Sequence, residues 1–514
     1  MSKANDSRNK SACVKPSNLP SIGDQDLSLA FKFRNDIGNS ERLRQRYGHK
    51  FRSIRHHRWH VWDKCRWNSR DGDHEIAIAA QLTSDAIRKE AEAMEAYGSL
   101  KGESDKDFKD RIDTHYKWAV SSGNSNRLMS MVREAQPHLE ENIDAMDANP
   151  WLFNTKNGTL CLAPPNSKAD IPPVEKLIHD PHDLITRVCN AEYDPEAGAP
   201  NFLNFINKIL PNPEIMTFVQ RYLGYCLTGD TSEQALILLH GSGANGKSTL
   251  VDLISWVLGD YAVVLPFSSL LQDDRRRGGD ATPDIARLPG VRLVRASEPD
   301  SSSKFSESTI KMLTGERTIT ARHLNNKFFE FEPEFKLVLS FNNKPYIQGQ
   351  DEGIWRRLLL VPFDVQIPPS ERIGGLDRQL RKEASGILNW LIDGFLMWRE
   401  RGLDPPEAIR SATAQYRSES DRIGLFVDGC IVKAEGVLTR ASDIYDAYKN
   451  WCKENAVDPI SHNAFSRKMA EKSFERIRPG GTTHYLNIGL TEAARAYLEA
   501  NHGYRRGEND DYAN

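Results

Sequence analysis

None of the chain's seven cysteines (Cys13, Cys65, Cys161, Cys189, Cys226, Cys430, Cys452) forms a Cys-x-x-Cys pair, and their number is odd. That pattern excludes the common structural zinc motifs and a disulfide scaffold, and it suits a reducing cytosol. Uninterrupted apolar runs of about 18 residues, the length that crosses a bilayer, are missing. The opening stretch MSKANDSRNKSACVKPSNLPSIGDQD lacks the roughly 7 to 15 residue apolar core of a secretory signal, so the expected location is the cytoplasm, with no membrane partner. There is no excess of one charge either. Lys and Arg number 68 against 71 Asp and Glu, a formal charge of −3, so any site for a polyanion has to be local.

What is present is a chain of 514 residues, 39% hydrophobic and 27% charged, which is too long for one ordinary domain and too apolar for a disordered one. Residues 1–22 are rich in Ser, Asn, Lys and Pro and read as a disordered arm. Residues 23–148 read as a small N-terminal α/β accessory unit. It opens with helical spacing at Leu27, Phe31 and Phe33 to Ile37, then FRSIRHHRWHVWDKCRWNSRDGDHEI alternates aromatic and polar residues as short hairpin strands do. Arg55, His56, His57, Arg58, Trp59, His60, Trp62, Arg66 and Trp67 could form a stacking platform for single strands. The favoured reading is plainer, a twisted hairpin that buries its tryptophans. His56, His57, His60 and Cys65 match no common zinc spacing. A long, charged, helical pattern follows from Ile76 to Ala148.

At Pro150 the texture changes to NPWLFNTKNGTLCLAPP, with Asn157-Gly158 as a hairpin turn. Residues 201–227 give two amphipathic helices broken at Pro211 and Pro213. They lead into ALILLHGSGANGKSTLVDLISWVLG, an apolar strand (Ala235 to Leu239), a glycine-rich loop and a helix. Gly241-x-x-x-x-Gly246-Lys247-Ser248 matches the P-loop pattern in the strand–loop–helix context that pattern needs. Its glycines let the backbone N–H groups of Gly241, Ser242, Gly243, Ala244, Asn245, Gly246, Lys247, Ser248 and Thr249 face phosphates, and the helix start adds a positive dipole end. Lys247 suits the β- and γ-phosphates of ATP, and the Ser248 hydroxyl suits Mg²⁺.

A metal and water partner is expected at the carboxyl end of another strand. Arg292 to Ser297 runs straight into Glu298, the candidate for polarising water and supporting Mg²⁺, against the plainer reading of a loop-capping carboxylate. A third strand, Lys336 to Phe341, runs into Asn342, able to hold that water or sense the γ-phosphate; a fourth is Arg357 to Pro362. Between the second and third strands TITARHLNNKFFEFEP forms a hairpin around Asn325-Asn326. Arg322, His323 and Lys327 cluster at its tip, where cations suit a phosphate backbone, although a solvated turn would look similar.

Taken in order, NPWLFNTKNGTLCL, RYLGYCLTG, GSGANGKSTL, RLVRASE, IKMLTGERTITARHL, FNNKP, WRRLLLVPF and GILNWLIDGF resemble a superfamily 3 helicase, the ATPase half of phage/plasmid and viral primase-helicases. The resemblance runs from about Asn149 to Asp428. It implies an α/β, AAA+-like P-loop ATPase core with a helical collar, the N-terminal α/β unit and a C-terminal winged helix. The implied segments are 149–230 for the collar region, 231–370 for the core, 371–428 for its helical part, 429–500 for the winged helix and 501–514 for a tail. It further implies Lys247 and Ser248 at ATP and Mg²⁺, Glu298 as Walker B acid and Asn342 as polar sensor. Arg356 or Arg357, preferably Arg357, would reach a neighbouring subunit's site in a homo-hexameric ring. Arg322, His323 and Lys327 would track single-stranded DNA in the central channel. Ser297 stands where many relatives have a second Walker B acid, with Asp300 a candidate helper. No set of metal-binding aspartates marks residues 1–148, so priming is expected from a separate primase or polymerase.

Leu376 to Arg401 reads as one helical face closing the ATPase unit. Beyond Asp428 the order helix, turn, helix, Gly480-Gly481 hairpin resembles a winged helix. Ala464 to Arg478 carries five basic residues (Arg467, Lys468, Lys472, Arg476, Arg478) against two acidic ones (Glu471, Glu475), which suits duplex phosphates. The expected activity is thus an ATP-dependent replicative DNA helicase of a mobile element or virus. The rivals are an ATP-binding initiator or scaffold without unwinding activity and a small-molecule P-loop kinase.

Overall fold

A computed structural model describes residues 22–55, 58–272, 281–297, 304–322 and 327–502. The chain divides into two compact units. One holds the residues up to Asp194 with Leu258–Tyr261, the other Pro195–Val257 with Ala262 onward.

In the first unit the helical spacing from Leu27 to Ile37 is interrupted: one helix is Ile22–Ala30 and the next Asp36–Tyr47. Asn35 restarts it, since its extended backbone lets its side chain accept from the Gly38 N–H at 2.8 Å. Phe31, Phe33 and Ile37 are exposed as a result. The strand Phe51–Ile54 pairs antiparallel with Trp59–Trp62 and parallel with Glu140–Glu141. Trp59 and Trp67 are buried, and the Trp67 indole donates to the Pro181 carbonyl at 2.8 Å, so the aromatic cluster is core packing, not an open stacking surface. His56 and His57 lie outside the described residues. Among the described residues no three His, Cys, Asp or Glu side chains gather as a metal site.

The border expected at Asn149 is not where this unit ends. The hairpin Leu152–Thr155/Gly158–Leu162 belongs to it, because buried Asn154 donates from Nδ2 to the carbonyls of Cys65 and Arg187 at 3.0 Å each. The two loop residues of that hairpin are Lys156 and Asn157, one position earlier than expected, with Gly158 already paired to Thr155.

The second unit opens with α1 (Pro200–Ile209) and α2 (Pro213–Tyr225). Pro213 sits in the first turn of α2, where its missing N–H costs nothing, and the Asn212 side chain caps the N–H groups of Glu214 and Ile215. A five-stranded sheet follows, made of β1 (Leu236–His240), β2 (Ala262–Val264), β3 (Leu293–Ser297), β6 (Lys336–Phe341) and β7 (Leu358–Pro362). The short pair β4 (Ile319–Ala321) and β5 (Phe329–Phe331) falls between β3 and β6 in the chain. The sheet order is β7-β1-β6-β3-β2 and every pairing in it is parallel. Its central strands are runs of Leu, Ile and Val buried on both faces, as a parallel sheet requires. Helix α3 (Lys247–Leu258) follows β1, and α4 (Glu307–Gly315) precedes β4.

The single helix expected over Leu376 to Arg401 is two, Leu376–Arg381 and α5 (Ala384–Arg401). Glu383 stands at the break, and its carboxylate accepts from the N–H groups of Asn201 and Phe202 at 3.1 and 2.9 Å, capping α1. Helices α2 and α5 touch backbone to backbone: a Cβ on Gly394 would lie 2.1 Å from the Gln220 carbonyl, and one on Gly224 2.1 Å from the Phe395 nitrogen. The C-terminal segment forms a three-stranded antiparallel sheet, Ile431–Arg440, Arg476–Ile477 and His484–Leu490, with helices Ala441–Glu454 and His462–Glu471. Gly480 and Gly481 turn the chain between its last two strands. In its core Tyr448 and Phe465 stack and Phe426 meets them edge-on.

Candidate functional site

Parallel strands bring their carboxyl ends to one edge, and a loop leaving that edge into a helix start presents N–H groups there. Residues 241–246 leave β1 in this way and enter α3 at Lys247. The loop coils through left-handed backbone at Gly243 (φ 95°), Ala244 (φ 52°) and Gly246 (φ 80°), which glycine tolerates best. Close approach matters as much as dihedral freedom. A Cβ on Gly241 would stand 2.4 Å from the Phe363 carbonyl, and one on Gly246 2.6 Å from Ile209. The loop is also clamped from the chain after β7, where the Ile367 N–H donates to the Ala244 carbonyl and Gln366 Nε2 to Ser242 Oγ, both at 2.8 Å.

Lys247 is only 4% exposed. Its Nζ donates to the Gly241 carbonyl at 2.7 Å, Asn245 Oδ1 at 3.0 Å and Asn342 Oδ1 at 3.2 Å. Two residues singled out on separate grounds, Lys247 and Asn342, therefore meet. Strand register explains it: Phe341 pairs with His240, so Asn342 emerges beside Gly241. Ser297 pairs with Ser340 on the other side, so β3 ends at the same edge. Glu298 and Asp300 lie outside the described residues. Ser248 is exposed in the first turn of α3, with Thr249 half-buried behind it. The edge is electropositive: burial, then the charges of Lys344 and Lys247, push the His240 imidazole below its ordinary value.

Arg356 and Arg357 stand at the opposite edge, before β7, and both donate to Gln234 Oε1, at 3.0 and 3.4 Å. Arg357 also bonds the Gly353 carbonyl and lies against Gly315, where a Cβ would come 2.5 Å from its guanidinium. A five-residue strand is about 17 Å long, so neither arginine reaches the glycine loop of its own chain. At the hairpin, Ile319 pairs with Phe331 and Ala321 with Phe329. The Arg322 guanidinium sits 4.7 Å over the Phe328 ring, and the Arg322 backbone N–H donates to Thr282 Oγ1 at 3.1 Å. Lys327 is exposed, whereas His323, Asn325 and Asn326 lie outside the described residues. In the C-terminal segment Lys468 pairs with Glu471 and Lys472 with Asp421, which neutralises two of the five cations and leaves Arg467, Arg476 and Arg478 exposed.

The clamp at Phe363, Gln366 and Ile367 and the acceptor Gln234 were not among the expected site residues. Gln234 has a left-handed backbone (φ 49°) just before β1, a strain no sequence pattern announces.

Fold and site together define a mixed α/β protein whose parallel sheet carries a clamped, lysine-bearing glycine loop at its carboxyl edge. A family model described as D5 N terminal like matches residues 40–211, and one described as poxvirus D5 protein-like matches 418–482. The chain is 29% identical to a candidate helicase of Acanthamoeba polyphaga mimivirus over 335 residues, covering 60% of this chain and 34% of that protein. Identity is 26% to a candidate helicase of Frog virus 3, covering 53% and 30%, and 24% to a candidate primase of African swine fever virus, covering 61% and 34%. The chain spans about a third of the length of these relatives. The C-terminal region of NrS-1 in its apo form is 13% identical over 58% of this chain and 78% of that one, at a TM-score of 0.39, too low to support an argument. The chain thus has segments that match the D5 N terminal like and poxvirus D5 protein-like models and is similar to candidate helicases and primases of viruses. The similarity starts well before Asn149, at residue 40. Among the described residues no helix is long and apolar enough to cross a membrane.

Proposed function

We propose that the chain is the ATP-driven motor of a DNA helicase serving replication of a virus or mobile element, a homo-hexameric ring that moves on single-stranded DNA. The observation that carries this reading is the buried Lys247 ammonium bonded to both the Gly241 carbonyl and Asn342 at the carboxyl edge of the sheet. The fit to a triphosphate is chemical: a loop with no room for a Cβ at Gly241 and Gly246, an ammonium beside it, and exposed Ser248 with its hydroxyl on the first turn of α3. Ser248 and Glu298 would hold Mg²⁺, which when bound neutralises charge on the phosphate oxygens.

In this AAA+-like reading the backbone from Gly241 to Thr249 cradles the phosphates, Lys247 pairs with the β- and γ-oxygens, Glu298 orients the attacking water and Asn342 senses the γ-phosphate. Arg357, with Arg356 beside it, acts on the site of the next subunit, consistent with its place at the far edge of its own sheet. Arg322, His323 and Lys327 contact the translocating strand. The C-terminal segment, read as a winged helix, attaches to duplex through Arg467, Arg476 and Arg478. The test is a forked-duplex assay with ATP: the wild type separates the strands and K247A does not. Wild-type protein with ATP hydrolysis but no strand separation would favour an ATP-gated initiator. Hydrolysis indifferent to DNA would favour a small-molecule kinase.

A further inference from the structure

We infer that Asn245 is a positioning residue for phosphoryl transfer, whose amide sets where the Lys247 ammonium sits and ties that position to β7. The inference rests on the ATP-hydrolysis reading above. The P-loop pattern leaves this position open to any residue. Here the side chain is only 3% exposed and engaged at both ends, donating from Nδ2 to the Phe363 carbonyl at 3.2 Å and accepting at Oδ1 from Lys247 Nζ at 3.0 Å. Only one orientation of the amide satisfies both partners, because an ammonium can only donate and a carbonyl can only accept. A Cβ on Gly241 would come 2.2 Å from Asn245 Nδ2, so glycine there is what lets the bridge close.

Among the described residues three oxygens accept from Lys247, and they differ in what holds them. The Gly241 carbonyl belongs to the phosphate loop itself, and Asn342 follows the end of β6. Asn245 is latched to the backbone just past β7, and β7 pairs with β1 from Leu358↔Leu236 to Pro362↔His240. When a triphosphate draws the ammonium away from Gly241 and Asn342, the contact to Asn245 persists and fixes its height over the phosphates. The arginine pair hangs on the other end of the same strand, with the Arg357 carbonyl accepting from the Leu236 N–H at 2.8 Å.

The bridge predicts a split between binding and turnover that a merely structural role would not give. In N245A the lysine still reaches phosphate but is no longer aligned: the Kd for Mg-ATP should stay within about threefold while kcat falls by about tenfold or more, since misplacement of about 1 Å is costly. In N245D a carboxylate takes up the lysine charge and repels the Phe363 carbonyl, so Kd itself should weaken by about tenfold or more. Both are measured on the full chain with a fluorescent ATP analogue, steady-state hydrolysis and thermal melting. If N245A folds poorly, N245S replaces it with the same expected split. An unchanged kcat in N245A overturns the inference, as does equal loss of binding and turnover in both variants with lowered melting temperature. Wild-type protein that hydrolyses no ATP overturns this and the ATP reading together; wild type that hydrolyses while N245A matches it overturns this one alone.

Discussion

Two buried lysines mark the two edges of the same sheet, and their burial is nearly equal: Lys247 is 4% exposed and Lys336 3%. Among the described residues three oxygen acceptors are seen for each. Those of Lys336 are all backbone carbonyls, of Thr228, Asp230 and Glu334, and the ammonium also lies 4.5 Å over the Tyr225 ring. Those of Lys247 are one loop carbonyl and two side-chain amides. Burial and bonding therefore do not separate a functional cation from a structural one; the exchangeability of its acceptors does. Carbonyls fixed by the chain's path after α2 and before β6 make Lys336 a pin, whereas the Gly241 carbonyl and the Asn342 amide can hand Lys247 over to phosphate while Asn245 keeps its hold. Burial pushes Lys336 down to about 7, so this pin is held at an electrostatic cost.

The contrast can be strained from the edge that holds Lys336. Arg357 shares that edge yet is assigned a role in turnover, so R357A should bind ATP normally while losing about 10³-fold in hydrolysis. Mixing it with K247A protein should restore some sites, read as recovered DNA-stimulated hydrolysis. If Lys336 is a pin, K336M leaves three buried carbonyls without their donor and should cost on the order of 3 kcal/mol in chemical denaturation. Turnover per folded molecule should be unchanged in that variant. The smallest effect is pH dependence. An unfolded lysine titrates near 10.5 and Lys336 in the fold near 7, so between those values the unfolded chain holds more protons and stability from this group rises with pH. The melting temperature of the wild type relative to K336M should therefore climb between about pH 7 and pH 9; a flat difference would mean that the group is charged throughout.

Much of the core was legible because its signals are local. An apolar strand, glycines and an amphipathic helix in succession announced the loop, and β6 running into Asn342 was read with the bounds the fold gives it. What escaped reading depends on partners distant in the chain. Asn245 meets a carbonyl 118 residues away, and the pinning of Lys336 by Thr228 spans 108. A lysine opening an apolar strand looks like a solvated flank until α2 ends against it. The break at Glu383 was hidden for the same reason, since its carboxylate caps α1, 182 residues away, whereas at Asn35 a local cap starts a new helix although the helical spacing runs on. The first unit's extent rests on contacts such as those of buried Asn154 and of the Trp67 indole with Pro181, and Asn154 resembles any polar residue of a strand.

The most direct test puts the two lysines side by side. K247A and K336M would be compared with wild type for DNA-stimulated ATP hydrolysis and for melting temperature. The account predicts that K247A loses about 10²-fold or more of its turnover with a melting temperature within about 2 °C of wild type, while K336M melts lower and turns over normally per folded molecule. A K247A protein that hydrolyses ATP at the wild-type rate would contradict it.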